Sequence, residues 1–377
     1  MDFDFSEDQE MLRKSVRDFL VQECPKTLVR EMEDSERGYS PELWLKMVNL
    51  GWLGLIIPEE YGGVGGSFLD LTIVFEEMGR ACLPSPFFPT VILGALPIIV
   101  GGTDEQKREY LPQIANGKTI FTMALAEPTA RFETDVIETK ATIRNGDYLV
   151  NGTKLFVPDA HVADFLLCVA RTREGVIPED GVSILLMDAK QSAINCTVLK
   201  TIASDKQCEV VFKDATTPGS RILGEPNQGW PIVKKTLEFG TVAKCAETVG
   251  NMQQVLEMAT NYAKERVQFG QPIGSFQAIQ HHCANMLIDV DGSWFITYEA
   301  AWKLAENLPA SKEVSMAKAF VSEASRQVTL LGHGIFGGIG FTKDHDMQLY
   351  YRRAKAAALS YGNADYHREL VAHQLLL

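Results

Sequence analysis

The sequence predicts an α+β protein that is mostly helical, with an N-terminal helical domain, a small central β domain and a C-terminal helical bundle. Apolar residues recur three and four positions apart in residues 1–115 and again in 227–377, which is the spacing of one helix face. Residues 116–226 instead carry short apolar runs separated by turn residues, a pattern typical of strands. We therefore expect three domains with these boundaries, in a chain of 377 residues.

The N-terminal segment contains recognisable helix starts. Ser6 followed three residues later by Gln9 predicts a capping box, and Ser40 followed by Pro41 predicts a second helix start. The four glycines in 58–66 predict an ordered loop between helices. The apolar run 91–100 is shorter than the ~20 residues that span a membrane, and it is expected to form a buried helix.

The central segment begins with a predicted strand in 118–126. Asn145-Gly146 and Asn151-Gly152 each predict a tight turn between strands. Further short strands are expected at 165–170, 182–187 and 209–212. Several short strands with regular turns indicate a small β-barrel.

The C-terminal segment turns a sharp corner in 264–280, where two long antiparallel helices meet at glycines and a proline. Arg266, Gln268 and Phe269 lie at this corner and combine a cation, an amide and an aromatic face. The simplest alternative is a helical hairpin with an arginine salt bridge. Farther on, the glycines of 337–341 would let backbone N–H groups approach an anion, and a helix N-terminus there would favour negative charge.

Composition narrows the possible partners. The formal charge of −13 argues against nucleic acid and anionic membranes, and no run is apolar enough to predict a membrane span. The first ten residues are acidic and show no signal sequence, so we expect a cytoplasmic protein. Seven scattered cysteines without a Cys-x-x-Cys pair indicate reduced thiols. His281 and His282 point to different helix faces, and no metal site is expected.

Three motifs together resemble the flavin-dependent acyl-CoA dehydrogenases. They are Arg-x-x-Phe-Gly-x-x-Ile beginning at Arg266, Gly-Gly-x-Gly-Phe beginning at Gly337, and Tyr-Arg-Arg-Ala-Lys beginning at Tyr351. The resemblance covers essentially the whole chain and implies the acyl-CoA dehydrogenase fold, with a C-terminal four-helix bundle. It also implies FAD as the cofactor, an acyl-CoA substrate and an electron-transferring flavoprotein or similar acceptor. A homo- or hetero-oligomer is expected, with a dimer of dimers as its usual form.

The same resemblance assigns residues to the flavin site, between the β domain and the bundle. The backbone at Met123, Leu125 and Ala126 would contact the flavin ring, and Phe156 and Pro158 would cover it near N5. Glu238 would lie near the pantetheine of the substrate. The ADP portion would be bound by residues from the corner of a partner subunit and by the glycine segment: Arg266, Gln268, Phe269, Gly337, Gly338 and Gly340.

This chain departs from the family at several of these positions. Ala126 replaces a threonine, Gly334 replaces a glutamine, and Pro158 has neither a hydroxyl nor an N–H for the flavin N5. A Gly-Ser-Asp loop of the family corresponds here to Glu133-Thr134-Asp135. Each lost hydrogen bond would weaken flavin binding by roughly 0.5–1.5 kcal/mol.

The catalytic carboxylate is missing from both places where the family carries it. Tyr361 stands at one position and Gly240 at the other. Tyr361 either fills space at the flavin edge or acts as an acid/base or orienting group. Glu247 is two helical turns, about 10 Å, from Gly240, and Asp365 follows Tyr361 by four residues; neither is a convincing replacement.

Three functions follow from these observations. The first is flavin-dependent α,β-desaturation of an acyl-CoA, with a cyclic or branched acyl group. The second is a non-catalytic or half-site subunit of a hetero-oligomeric acyl-CoA dehydrogenase. The third is a non-redox acyl-CoA lyase or hydratase on the same scaffold.

Overall fold

The structure is a computed structural model that describes residues 4–129, 137–175, 177 and 179–375. The chain forms two compact units, each assembled from segments that are distant in sequence. The helical unit contains Met1–Arg30, Phe68–Leu83 and Thr241–Leu377; the second, sheet-containing unit contains Glu31–Ser67 and Pro84–Gly240. None of the helices in the described ranges combines the length and apolarity required to cross a bilayer. The division into three domains at 115 and 226 stays a prediction.

Helices α1 to α6 occupy the first third of the chain. The capping box at Ser6 and Gln9 is confirmed: Ser6 Oγ accepts from the Gln9 N–H at 3.2 Å, and Gln9 Oε1 accepts from the Ser6 N–H at 3.2 Å. Ser40 caps the third helix with Pro41 in its first turn, also as predicted. The bounds are α1 Glu7–Glu23, α2 Lys26–Asp34, α3 Pro41–Asn49, α4 Phe68–Ala81, α5 Leu96–Gly101 and α6 Asp104–Ala115.

The apolar run at 91–100 is buried and helical, as predicted. Its first part, Pro89–Ala95, is a π-helix that continues directly into α5. Gly94 lies against Phe121, and a side chain at Gly94 would come within 2.3 Å of the Phe121 Cβ. The glycine therefore permits this segment to pack closely on the first strand.

Eight strands of the second unit form one sheet in the order β6-β7-β3-β2-β4-β5-β8, with β1 paired in parallel to β4. The predicted central β domain is confirmed as this sheet. The strand β6 has no counterpart in the predicted strands because four of its six residues are exposed and its apolar alternation is weak. The bounds are β1 Phe121–Ala124, β2 Lys140–Arg144, β3 Asp147–Pro158, β4 Phe165–Arg171, β5 Val182–Asp188, β6 Ile194–Leu199, β7 Gln207–Pro218 and β8 Ile222–Leu223.

One of the two predicted Asn-Gly turns is wrong. Asn145 and Gly146 do join β2 to β3 with positive φ values of 55° and 91°. Asn151 and Gly152, however, lie inside β3, where the pairing with β7 shifts register. A side chain at Gly152 would come within 2.5 Å of Thr139 Oγ1, so this glycine allows close approach of the backbone.

Three long helices and two shorter ones follow the sheet and confirm the predicted C-terminal bundle. The corner between the first two contains a small hairpin of strands β9 (Val267–Gln268) and β10 (Gln271–Pro272). Helix α9 is amphipathic and buries apolar residues at three- and four-residue spacing, including Val314, Ala317, Val321, Ala324 and Val328. The bounds are α7 Trp230–Glu265, α8 Gln277–Ala305, α9 Ser311–Phe336, α10 Met347–Leu359 and α11 Ala364–Leu375.

Candidate functional site

A buried ion pair organises the end of β1 in the second unit. Lys154 is 0% exposed, and its Nζ lies 2.7 Å from Glu127 Oε1. The same ammonium donates to the Leu125 carbonyl at 3.0 Å. Glu127 also accepts the backbone N–H groups of Glu138 at 2.8 Å and Thr139 at 3.0 Å. Burial alone would raise the pKa of Glu127, but Lys154 and these N–H groups lower it below its ordinary value.

This ion pair holds the backbone of Leu125 and Ala126, which was predicted to contact the flavin ring. The Ala126 carbonyl accepts the N–H of Leu155 at 2.8 Å, so β3 lies beside this segment. The side chains of Met123 and Leu125 are buried, and they support the strand from within the unit. Of these three residues only Ala126 is partly exposed, so it is the one that a ligand can reach.

Phe156 projects from β3 beside the same segment. The register of β3 against β7 shifts between Lys154 and Val157, which is the signature of a β-bulge. Phe156 adopts a positive φ of 53°, a strained conformation for an aromatic residue, and its side chain is 52% exposed. Strain of this kind concentrates at functional sites. Pro158 ends the strand two residues later.

These residues fit a planar aromatic ring. An exposed phenyl group offers a stacking face, and the partly exposed Ala126 is hydrogen-bonded to Leu155, the residue before Phe156. Pro158 has no N–H, so it cannot donate a hydrogen bond to such a ring. The loop residues Glu133, Thr134 and Asp135, which stand in place of the family's Gly-Ser-Asp, lie outside the described residues.

The corner of the helical unit exposes the three predicted nucleotide-binding side chains. Phe269 and Gly270 form the hairpin tip with φ values of 53° and 80°, and Phe269 is 92% exposed. Arg266 and Gln268 are also exposed. Within the described ranges, the Arg266 guanidinium has no ion-pair partner, so the alternative of an arginine salt bridge is wrong for this chain. A free cation, an amide and an aromatic face suit a phosphate-bearing nucleotide.

The glycine segment contradicts one part of the prediction. Gly337–Phe341 forms a 3₁₀ turn directly after the C-terminus of α9, and the next helix starts only at Met347. The segment is therefore at a helix C-terminus, and the attraction of an N-terminal dipole for an anion does not apply. The space beside Gly337 and Gly338 is open, so their backbone is accessible to a ligand, whereas Gly340 packs against Phe336.

Tyr361 lies in the turn between α10 and α11. It has a positive φ of 60°, and Gly362 follows with a φ of 93°. His367 Nε2 lies 2.8 Å from the Tyr361 carbonyl, to which it donates. Burial raises the pKa of the Tyr361 phenol above its usual value, and the negative charge of Glu247 raises it further. The phenol is therefore protonated at neutral pH, and in that state it cannot accept a proton as a base.

The remaining carboxylates differ in their surroundings. Glu247 forms an ion pair with Lys244 at 2.6 Å, and it belongs to the helical unit together with Tyr361. Asp365 is 84% exposed and pairs with Arg368. Glu238 and Gly240 lie on the part of α7 that belongs to the second unit. Sequence spacing alone did not associate Glu247 with Tyr361, because they lie more than one hundred residues apart.

Comparison with known proteins agrees with this geometry. The acyl-CoA dehydrogenase N-terminal, middle and C-terminal domain models match residues 6–118, 122–215 and 227–376. The chain is 32% identical over 381 residues to the probable acyl-CoA dehydrogenase YngJ of Bacillus subtilis, with 100% of both proteins covered. It is 30% identical over 386 residues to the caffeyl-CoA reductase-Etf complex subunit CarC of Acetobacterium woodii, with 99% of each covered.

A solved structure shows the same fold over the full length. Butyryl-CoA dehydrogenase from Megasphaera elsdenii superposes with a TM-score of 0.93 at 27% identity, covering 100% of both chains. The family models cover most of the chain, and the relatives and this structure cover 99–100% of it. The chain belongs to the acyl-CoA dehydrogenase family, whose members depend on FAD.

Proposed function

We propose that this protein is an FAD-dependent oxidoreductase that interconverts an acyl-CoA thioester and its α,β-unsaturated form. Desaturation removes a proton from Cα and a hydride from Cβ, and saturation returns both. When bound, FAD accepts or supplies the hydride. The proposal is supported by full-length membership of the family and by Tyr361, a half-buried residue with a phenol of raised pKa, which the resemblance aligns with the family's catalytic carboxylate.

The protonated state of Tyr361 makes a proton available at the start of the saturation reaction. A base must be deprotonated before it can accept the Cα proton, and burial together with Glu247 keeps this phenol protonated. A protonated phenol can instead deliver its proton to Cα of an α,β-unsaturated thioester. The predicted α,β-desaturation is the reverse of this reaction and stays a prediction, as does a cyclic or branched acyl group.

The chain supplies distinct groups for each part of the cofactor. Phe156 and the backbone of Leu125 and Ala126 would hold the ring. Arg266, Gln268 and Phe269 would bind the nucleotide portion, across a subunit interface if the family's assembly holds here. We further propose an electron-transferring flavoprotein or similar protein as the redox partner, because the relative CarC is named as part of a reductase–Etf complex.

The test begins with the visible spectrum of the purified protein, before and after FAD is added. We expect the spectrum of a bound flavin. Crotonyl-CoA should reoxidise this flavin after it has been reduced with dithionite in the absence of oxygen. This reoxidation should be faster than the bleaching of the oxidised flavin by butyryl-CoA. Tyr361→Phe should retain the flavin and slow reoxidation by roughly 10²–10⁴-fold, the usual contribution of a positioned acid. A protein that neither contains nor takes up FAD would exclude the proposal.

A second candidate is a half-site subunit that completes its active site with a different chain. This candidate is favoured because Gly240 and Tyr361, and not carboxylates, stand at the two positions where the family carries its catalytic carboxylate. Native mass measurement of the protein expressed alone and together with neighbouring gene products tests it. A homo-oligomer that turns over acyl-CoA by itself would exclude this candidate. The non-redox lyase or hydratase alternative predicts instead that no acyl-CoA changes the spectrum of a bound flavin.

A further inference from the structure

Lys318 is a buried lysine that the proposed reaction does not use. It lies on α9 with a 2% exposed surface, among the apolar residues of the helix. Its Nζ donates to Ser322 Oγ at 2.8 Å and to the carbonyls of Ala357 at 2.9 Å and Ala358 at 3.4 Å. In the part of the chain that the structure describes, no carboxylate lies within ion-pair distance of it. A buried ammonium held only by neutral oxygens is unusual.

The two carbonyls belong to the last turn of α10. The last four carbonyls of a helix lack partners within the helix and carry the negative end of its dipole. The Ser360 N–H donates to the Ala356 carbonyl at 3.1 Å. Lys318 donates to the next two carbonyls, those of Ala357 and Ala358. A side chain from a neighbouring helix thus acts as the positively charged cap of α10.

This cap lies immediately before Tyr361. The chain leaves α10 at Leu359 and passes through Tyr361 and Gly362, both with positive φ. On the other side of the turn, His367 of α11 holds the Tyr361 carbonyl at 2.8 Å. A side chain at Gly362 would come within 2.4 Å of Tyr366 and 2.9 Å of His367. The turn is therefore fixed at both ends, by Lys318 before it and by His367 after it.

Several titratable groups face Lys318 from the surrounding helices. From α7 they are Lys244 and Cys245, which line the same small cavity. Burial raises the pKa of Cys245 to about 12. From α11, His367 is close enough for its pKa to be affected: burial, and then the charge of Lys318, lower it to about 4. The facing residues of α10 are alanines, and Glu247 faces Tyr361 from α7.

Among these groups, Lys318 is set to change charge closest to physiological pH. Burial lowers its pKa to about 8, whereas Cys245 and His367 stay neutral between pH 6 and the alkaline range. Loss of the Lys318 proton weakens its hydrogen bonds to the carbonyls, because a neutral amine is a weaker donor than an ammonium.

We propose that Lys318 is a positioning residue that sets the location of Tyr361 by capping α10, and that loss of its charge releases the turn. The inference rests on the proposed function only in taking Tyr361 as the group that carries the proton. Lys318 on α9 would thus affect the turn at Tyr361, although the two residues are distant in sequence.

The test follows Tyr361 directly by NMR in protein labelled with [¹³Cζ]tyrosine, with Tyr361→Phe identifying its resonance. In the wild-type protein, with and without FAD, we expect the resonance to move with a midpoint near pH 8 while the phenol stays protonated. In Lys318→Met, an apolar side chain of similar length, the resonance should not respond to pH and should lie near the wild-type high-pH position. Lys312→Met, on an exposed part of the same helix, is the matched control and should titrate like wild type.

Kinetics provide a second measurement. With reduced flavin and crotonyl-CoA, Lys318→Met should lower kcat by about tenfold while KM stays within about twofold, because proton transfer is affected and binding is not. A Tyr361 resonance that is independent of pH in wild type, or that titrates equally in Lys318→Met, would overturn the inference. If Lys318→Met does not fold, Lys318→Gln replaces it with the same expected loss of titration. If wild type shows no turnover, the proposed function fails, but the NMR comparison still decides the role of Lys318.

Discussion

Lys154 and Glu127 form an ion pair of 2.7 Å with both side chains almost completely buried. The pair also ties β3 to the backbone at the end of β1, because Lys154 donates to the Leu125 carbonyl. Removing one partner of such a pair leaves an uncompensated charge in the interior, which is far more damaging than replacing both. Lys154 therefore both neutralises Glu127 and holds the Leu125 carbonyl.

Lys154→Met should destabilise the protein by roughly 3–5 kcal/mol, since Glu127 would remain buried without its partner. The double variant Lys154→Met/Glu127→Leu is the matched comparison and should recover a large part of this loss. Urea unfolding followed by circular dichroism measures both. Equal stability of the single variant and wild type would show that the ion pair does not support this unit.

Phe156→Ala should weaken FAD binding while leaving the fold intact. The ring is half exposed and its backbone is strained, so its removal takes little from the core. Loss of one stacking face should weaken binding by about 0.5–1.5 kcal/mol, which corresponds to roughly two- to tenfold in Kd. Titration of the FAD-free protein with FAD, followed by flavin fluorescence, measures the change.

Ile143→Ala is the control for Phe156→Ala. Ile143 is an exposed apolar residue of β2 in the same sheet, and it has no assigned role in binding. Its substitution should leave the Kd for FAD unchanged. If both variants bind FAD like wild type, Phe156 does not stack on the ring.

The sequence was sufficient to predict elements whose signal is local. The capping box at Ser6 and the turn at Asn145 depend on neighbouring residues, and both are confirmed. Asn151-Gly152 carries the same local signal, but pairing of β3 with β7 overrides it, since the glycine is needed for close contact with Thr139. Pairing between strands that are distant in sequence cannot be predicted from a short sequence window.

The candidate site shows the same limit. Exposed Phe269 and Arg266 could be identified from a motif because the motif is contiguous. Lys154, Lys318 and His367 could not, because a lysine or histidine in a helical or strand pattern is usually a surface residue. Lys318 lies on the apolar face of α9. A lysine at such a position is the one sequence signal that could have indicated that Lys318 is buried.

Gly337→Ala should destabilise the protein although no atom would obstruct the added methyl group. The space beside Gly337 is open, but its φ of 62° with a ψ of −144° is a conformation that essentially only glycine adopts. We expect a loss of about 1–3 kcal/mol from backbone strain alone. Thermal unfolding measures it.

Gly338→Ala is a control one residue away. Its surroundings are equally open and its φ is not positive, so the loss should stay below about 1 kcal/mol. Equal stability of the two variants would show that the turn after α9 relaxes to accept a side chain at Gly337. A smaller FAD affinity in Gly338→Ala without a loss of stability would support its predicted contact with the nucleotide.

Because the buried charge of Lys318 is unfavourable, its contribution to the free energy of unfolding should rise with pH in the alkaline range. Burial lowers the pKa of Lys318 from 10.5 to about 8 in the folded protein. Below pH 8 both the folded and unfolded chains hold the proton, and the folded state bears the full unfavourable effect of the buried charge. Between pH 8 and 10.5 the unfolded chain binds a proton that the folded one has released, so the contribution of Lys318 to stability rises with pH.

The difference in unfolding free energy between wild type and Lys318→Met isolates this contribution, because other titrating groups are common to both proteins. At 1.36 kcal/mol per pH unit, the difference should shift in favour of wild type by about 2 kcal/mol between pH 8 and 9.5. Lys312→Met should show no such shift, since Lys312 is partly exposed beside Glu313. A difference that is constant over this range, measured by urea unfolding at each pH, would mean that Lys318 keeps its proton in the folded protein despite its burial.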